Sequence, residues 1–260
     1  IYGHQGVESD LEIIDLVLDS MANLGLQEIK LSLGHIAIVN EMMNAAGLNE
    51  AQQNQMIDIL ERKAVPEYEA FVAELDCDAN LKDKFQILTN LCGDAAETLS
   101  VVKGELSGIT SELDSAIADI ETIIQSLSAT QQVPMHLDVT DMRGYQYHTG
   151  VIFACYSSGV LQPIARGGRY DNIGASFGLS LPATGFSLDL RSALDLLPDL
   201  SESTQGTIYA PVDADATLKA AVEDYKKQGY RVVKCYDLDS LNAGDQVLAL
   251  DGDKWSVKSV

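Results

Sequence analysis

The sequence predicts an α+β fold: an antiparallel sheet interrupted by a helical insertion and followed by a small C-terminal α/β module. Three observations carry this. Strand-like segments at residues 28–33, 135–140 and 151–165 flank a stretch from about 49 to 130 in which apolar residues recur at helical spacing. A polar stretch at residues 198–206, containing Ser-Glu-Ser-Thr, reads as a linker that sets residues 1–197 apart from residues 207–260. Those last residues run strand, helix, strand and hairpin. With 260 residues and 46% hydrophobic content, the chain can bury a core of that size.

Taken in order, Ser9-Asp10-Leu11-Glu12 has the form of a capping box, and Leu11, Ile14, Leu18 and Met21 share one helical face up to Gly25. Residues 28–33 alternate as a strand. Gly34-His35 then turns the chain into a helix over 36–46 that Gly47 stops, with His35 expected to cap or pack at the junction. In the insertion, helices are marked by Met56, Ile57 and Leu60, by Tyr68, Phe71, Val72 and Leu75, by Leu88 and Leu91, and by Leu113, Ile117, Ile120 and Ile124. Pro66 suits a first helical turn, and Gly93, Gly104 and Gly108 are expected at helix ends. Met135, Leu137 and Val139 alternate with polar residues as a half-buried strand. Residues 151–156 and 161–165 then pair as a hairpin around Ser158-Gly159. The last module reads as strand 208–210, helix 214–228 ended by Gly229, strand 231–235, and strands 247–250 and 254–257 around an Asp251-Gly252 turn.

The chemistry concentrates between Asp138 and Arg191. Arg143, Tyr147, His148 and Arg166 or Arg169 fall at expected strand ends. Arginine meets a carboxylate or phosphate with a forked pair of hydrogen bonds, while tyrosine and histidine offer a flat apolar face with a polar tip. Gly167 and Gly168 remove side chains where a ligand or another backbone must come close. The candidate ligand-binding set is therefore Arg143, Tyr147, His148, Gly167, Gly168, Arg169, Tyr170 and Asp171, suited to a small zwitterion or an anion. Each of these residues also has a purely structural reading, for example Asp171 as a helix N-cap and Arg169 paired with a surface acid. No catalytic or metal-binding set stands out. Cys77, Cys92, Cys155 and Cys235 are far apart and form no Cys-x-x-Cys pair, so free thiols are expected.

Charge narrows the function further. Thirty-nine acidic against seventeen basic residues give a net charge of −22, which repels a phosphate backbone, and no Lys/Arg cluster offsets it. Nucleic-acid binding is not expected. No run of eighteen apolar residues exists and Ile1 opens no signal segment, so the reading is a soluble, cytoplasmic protein with no membrane partner.

The residues of this central stretch resemble the histidyl-tRNA synthetase family. Arg143-Gly-Tyr-Gln-Tyr147-His148 resembles its first histidine motif, Gly167-Gly-Arg-Tyr-Asp171 its second, and Pro182-Ala-Thr-Gly-Phe-Ser-Leu-Asp-Leu-Arg191 its class II motif three. The resemblance is closer to a paralogous family, the regulatory subunits of the short-form ATP phosphoribosyltransferase, through Tyr147-His-Thr-Gly150 and Gly185-Phe-Ser-Leu-Asp-Leu-Arg191. It implies a class II aminoacyl-tRNA synthetase-like fold and a histidine-like pocket in which Arg143 corresponds to the synthetase's reactive-centre arginine. His148 stands where the synthetase has a tyrosine against the imidazole. Where motif three of the synthetase has a glutamate and then an ATP-contacting arginine, this sequence has Arg191 and Ser192.

For function, the resemblance implies a non-catalytic subunit that activates the short-form catalytic subunit and helps relay histidine feedback inhibition in the first step of histidine biosynthesis. No cofactor is expected in this chain, and Mg²⁺ is expected in the catalytic partner. The partners implied are that catalytic subunit, a second copy of this chain as a dimer within a hetero-octamer, and histidine. The competing readings are an aminoacylating histidyl-tRNA synthetase and a stand-alone histidine or ATP binder. Ile1-Tyr2-Gly3 resembles the end of a strand that follows motif two, so the chain is expected to be the C-terminal part of a longer protein.

Overall fold

The computed structural model describes residues 1–175, 178, 180–197, 205–213, 215–252 and 254–260. It divides into two compact units, Ile1–Leu197 and Pro198–Val260. Most of the linker expected at residues 198–206 lies outside the described residues.

The first unit is built on strands β1 (Lys30–His35), β2 (Cys92–Asp94), β3 (Met135–Asp138), β4 (Val151–Tyr156), β5 (Ala165–Arg169) and β6 (Thr184–Leu188), in the order β2-β3-β1-β4-β5-β6. All neighbours are antiparallel except β1 and β3, so the sheet is mixed where the sequence suggested antiparallel pairing alone. The cause is the insertion: its helices carry the chain back to the end of the sheet from which β1 started, as a parallel pair requires. At three residues, β2 is too short to show a period. In the β4/β5 hairpin the second strand starts at Ala165, not at Leu161, which is 97% exposed. Pro163 lies between them and has no N–H to give to a ladder. Ile1 and Tyr2 run beside β6: the Thr184 N–H donates to Ile1 O at 3.0 Å, and Tyr2 bridges Ala183.

Register sorts the side chains onto two faces. Leu31, Leu33, Leu137, Phe153, Cys155 and Ala165 share one face and are all buried, and helices α1 (Val7–Asn23) and α7 (Ser111–Thr130) pack on the sheet. Burying each of the larger side chains contributes about 1.5–3 kcal/mol. The opposite face carries Lys30, Ser32, His136, Asp138, Tyr156, Arg166 and Ser187, a polar surface.

Local chemistry explains the helix ends. His35 Nδ1 accepts from the Ala37 N–H at 3.2 Å and caps α2 (Ile36–Ala45), and Gly47 follows it with φ +66°. The insertion continues with α3 (Glu50–Glu61), α4 (Val65–Glu74), α5 (Ala79–Leu88) and α6 (Ala95–Leu106) before α7. Pro66 sits in the first turn of α4 as expected. Two expectations fail here. Gly104 lies inside α6, where buried Val102 and Leu106 outweigh a local cost of about 1 kcal/mol, and Gly93 lies in β2. Nor is Ser9-Asp10-Leu11-Glu12 a capping box: α1 begins at Val7, and Ser9 and Asp10 are buried within its first turns. Helix α8 (Leu190–Leu196) follows β6 and closes this unit.

The second unit has β7 (Thr207–Pro211), α9 (Ala216–Lys227), β8 (Arg231–Cys235), β9 (Gln246–Asp251) and β10 (Lys254–Ser259). Their order is β10-β9-β7-β8, with β7 parallel to β8 and β9. Ile208, Ala210, Leu218 and Leu248 form its buried centre. Asp215 caps α9 by accepting from the Thr217 N–H at 2.8 Å, and Gly252, with φ +61°, makes the β9/β10 turn.

Candidate ligand-binding site

Between β3 and β4 the chain folds back in a series of turns over the polar face of the sheet, enclosing an open cleft of about 590 Å³. Two glycines form its floor. A Cβ on Gly168 would lie 2.9 Å from His148 Nδ1, and one on Gly185 would lie 2.7 Å from the Tyr170 hydroxyl. Rings therefore lie directly on backbone. Tyr147 packs edge-on to His148 at 5.1 Å between centroids and against Tyr170 at 4.9 Å, a small aromatic cluster at one side of the cleft. Burial holds the His148 imidazole below its ordinary pKa of 6.5, so it is neutral at neutral pH.

The charged groups are placed by short-range bonds. Arg143 Nε donates to Asp141 Oδ1 at 2.8 Å and Oδ2 at 3.1 Å; its terminal nitrogens reach Asp141 Oδ2 and the Tyr156 hydroxyl. The Asp141 hydrogen bonds raise the guanidinium's pKa above its already high ordinary value, so it stays charged. Arg166, from β5, and Glu61, from the end of α3, also line the cleft. Among the described residues neither has an ion-pair partner. The cleft thus offers two guanidiniums, two carboxylates and aromatic faces, a lining of balanced charge that suits a zwitterion with an unsaturated ring.

Of the residues expected from the sequence, Arg143, Tyr147, His148, Gly167 and Tyr170 line the cleft, and Gly168 lies beneath the His148 ring. Arg169 and Asp171 do not line it. Arg169 is buried on the helix-covered face, donating to Asp10 Oδ2 at 3.0 and 2.8 Å, to Ser9 Oγ at 2.9 Å, and to the backbone oxygens of Gly6 and His4. Its nearest carboxylate is a buried acid of α1, with a longer contact to the partly exposed Asp171 at 3.4 Å. Asp171 Oδ1 accepts from the Ala183 N–H at 3.0 Å and braces the chain entering β6.

Sequence reasoning missed Glu61, Asp141, Phe186 and Ser187. Asp141 had a readable signal, since an aspartate two residues before an arginine can turn back on it. Glu61 had none, because only the tertiary fold brings α3 to the cleft. The end of the motif-three stretch lies elsewhere: Asp189 caps α8, accepting from the N–H groups of Arg191 at 3.0 Å and Ser192 at 3.3 Å, and neither Arg191 nor Ser192 lines the cleft. Among the described residues no group of three or more His, Cys, Asp or Glu side chains could hold a metal ion.

Comparison with known proteins places this geometry in context. The family described as Histidyl-tRNA synthetase matches residues 1–193. An ATP phosphoribosyltransferase regulatory subunit from Hydrogenovibrio crunogenus is 44% identical over 256 residues, 98% of this chain and 66% of the relative. One from Marinomonas sp. is 36% identical over 264 residues, 100% of this chain and 66% of the relative. The chain therefore spans 66% of the length of these curated relatives. Among solved structures, an ATP phosphoribosyltransferase regulatory subunit/histidyl-tRNA synthetase from Bacillus halodurans has a TM-score of 0.70 at 25% identity, over 93% of this chain and 62% of that one. By sequence and by its class II synthetase-like fold, this chain belongs to the histidyl-tRNA synthetase family, and along nearly its whole length it is similar to ATP phosphoribosyltransferase regulatory subunits.

Proposed function

We propose that this chain is the larger part of a regulatory subunit that performs no catalysis of its own. It binds the short-form ATP phosphoribosyltransferase catalytic subunit, is required for its activity, and relays histidine feedback in the first step of histidine biosynthesis. The observation that carries this reading is the 44% identity to a regulatory subunit along 98% of the chain. Mg²⁺ belongs to the catalytic partner, and the chain pairs with its own copy inside a hetero-octamer. The cleft over Gly168 and Gly185 is the histidine site. Arg143 and Arg166 would take the ligand's carboxylate, and the tyrosine and histidine rings would flank its imidazole.

The family match itself favours a second reading, an aminoacylating enzyme. Two observations weigh against it. No motif-three arginine reaches the cleft, and a net charge of −22 opposes transfer RNA. The deciding experiment mixes the full-length protein with a short-form catalytic subunit and follows phosphoribosyl-ATP formation, with histidine-dependent exchange of pyrophosphate into ATP measured alongside. Activation without exchange supports the regulatory subunit. Exchange without activation supports the synthetase.

A further inference from the structure

The polar face of the sheet continues past the Arg143–Asp141 pair into a second hollow of about 520 Å³, roofed by the last turn of α3 and by Met142. Register puts Lys30 and Ser32 of β1, His136 of β3 and Tyr156 of β4 on its floor. Two of its charge pairs are internal: Asp138 holds Lys63 at 2.7 Å, and Asp141 holds Arg143. Lys63 adopts φ +51°, a conformation that lysine rarely takes, and its ammonium also donates to Thr140 Oγ1 at 3.1 Å and Thr140 O at 3.2 Å. The end of α3, which carries Glu61, is thereby fastened over the sheet.

Among the described residues, Lys30 and Glu61 are the charged groups of this hollow without an ion-pair partner. They are of opposite sign, and the lining as a whole has equal numbers of cations and carboxylates. A nucleotide's phosphates would meet Glu61 and two carboxylates already in place with only one uncommitted cation to oppose them. A ligand bearing one ammonium and one carboxylate leaves no charge unmatched.

We propose that this hollow is a second small-molecule site, specific for an amino-acid zwitterion, whose carboxylate is taken by Lys30 and whose ammonium is taken by Glu61. Ser32 lies beside Lys30 on the floor, and the Tyr156 hydroxyl, which accepts from Arg143, keeps its proton to donate to the ligand. Glu61, Asp141 and Arg143 line both hollows, so an occupant of one changes the electrostatics of the other. The site goes beyond the regulatory reading and does not depend on it.

The test uses the full-length protein and titrates each of the twenty common amino acids separately by calorimetry, against the wild type and the Lys30→Met, Lys30→Arg and Arg166→Met variants. At least one amino acid is expected to bind about tenfold or more weakly to Lys30→Met, to recover in Lys30→Arg, and to bind within about twofold of wild type in Arg166→Met. Lys30 and Arg166 are exposed, so both replacements leave the core intact. The proposal is overturned if Lys30→Met weakens no amino acid. It is equally overturned if every amino acid weakened by Lys30→Met is weakened as much by Arg166→Met, which would mean a single site in the first cleft.

Discussion

Arg166 and Arg169 stand three residues apart on β5, and that odd spacing sends them to opposite faces of the sheet. Arg166 opens onto the cleft; Arg169 is buried against α1, where Asp10 Oδ2 accepts two of its hydrogen bonds and Asp10 Oδ1 has no partner. Burial pushes the Asp10 carboxyl up, and Arg169 is what opposes that. Arg169→Ala should therefore cost about 3–5 kcal/mol by leaving a buried acid uncompensated, whereas Arg166→Ala should stay within about 0.5 kcal/mol. Urea unfolding of the two variants measures the difference, and equal losses would refute the assignment. Period two alone tells that these arginines face apart. Which face carries the open cleft is decided by where α1 and α7 pack, and no local pattern records that.

His148 gives a pH signature at the same scale. Its folded pKa lies below 6.5, so the unfolded chain takes up the proton first on acidification. The stability tied to its neutral form is complete above pH 6.5 and is lost as pH falls from there toward the folded pKa. His148→Gln should flatten that part of the stability profile relative to wild type. An unchanged slope would mean that the ring is not desolvated over Gly168.

Elements were readable wherever a single local rule decided them. The turn from β1 into α2 was announced by Gly34-His35 and Gly47, the strand at β4 by an apolar run, and α9 by its period and Gly229. The start of α1 was misplaced because Ser9 and Asp10, good caps in isolation, are used by Arg169 instead. Within the insertion, the Tyr68 hydroxyl of α4 donates to Phe85 O of α5 at 2.8 Å inside the core. Tyr68→Phe leaves that carbonyl unpaired and should cost about 1–3 kcal/mol. Thermal unfolding checks this, and a midpoint equal to wild type would show that the bond adds nothing.

At the scale of the whole molecule, the balance of charge and the cleft argue together. A net charge of −22 should leave transfer-RNA binding undetectable in a gel shift at moderate salt; a submicromolar shift would contradict it. The residues that build the cleft come from β4, β5, β6, the β3–β4 turns and the end of α3, elements as far apart as Glu61 and Ser187. The sequence motifs therefore marked its aromatic wall and Arg143 but not its roof.

The measurement that bears most directly on the regulatory reading follows phosphoribosyl-ATP formation by a short-form catalytic subunit with the full-length protein and with its Arg143→Ala variant, over a range of histidine concentrations. The wild type should activate the partner, and histidine should inhibit the complex. The variant leaves the buried Asp141 carboxylate unpaired, so its thermal midpoint should fall; in the protein that remains folded, activation or histidine inhibition should shift by about tenfold, since a forked charge-assisted pair of hydrogen bonds is worth roughly 1–3 kcal/mol. No activation by the wild type, or curves for the variant that overlay those of the wild type, would contradict the reading.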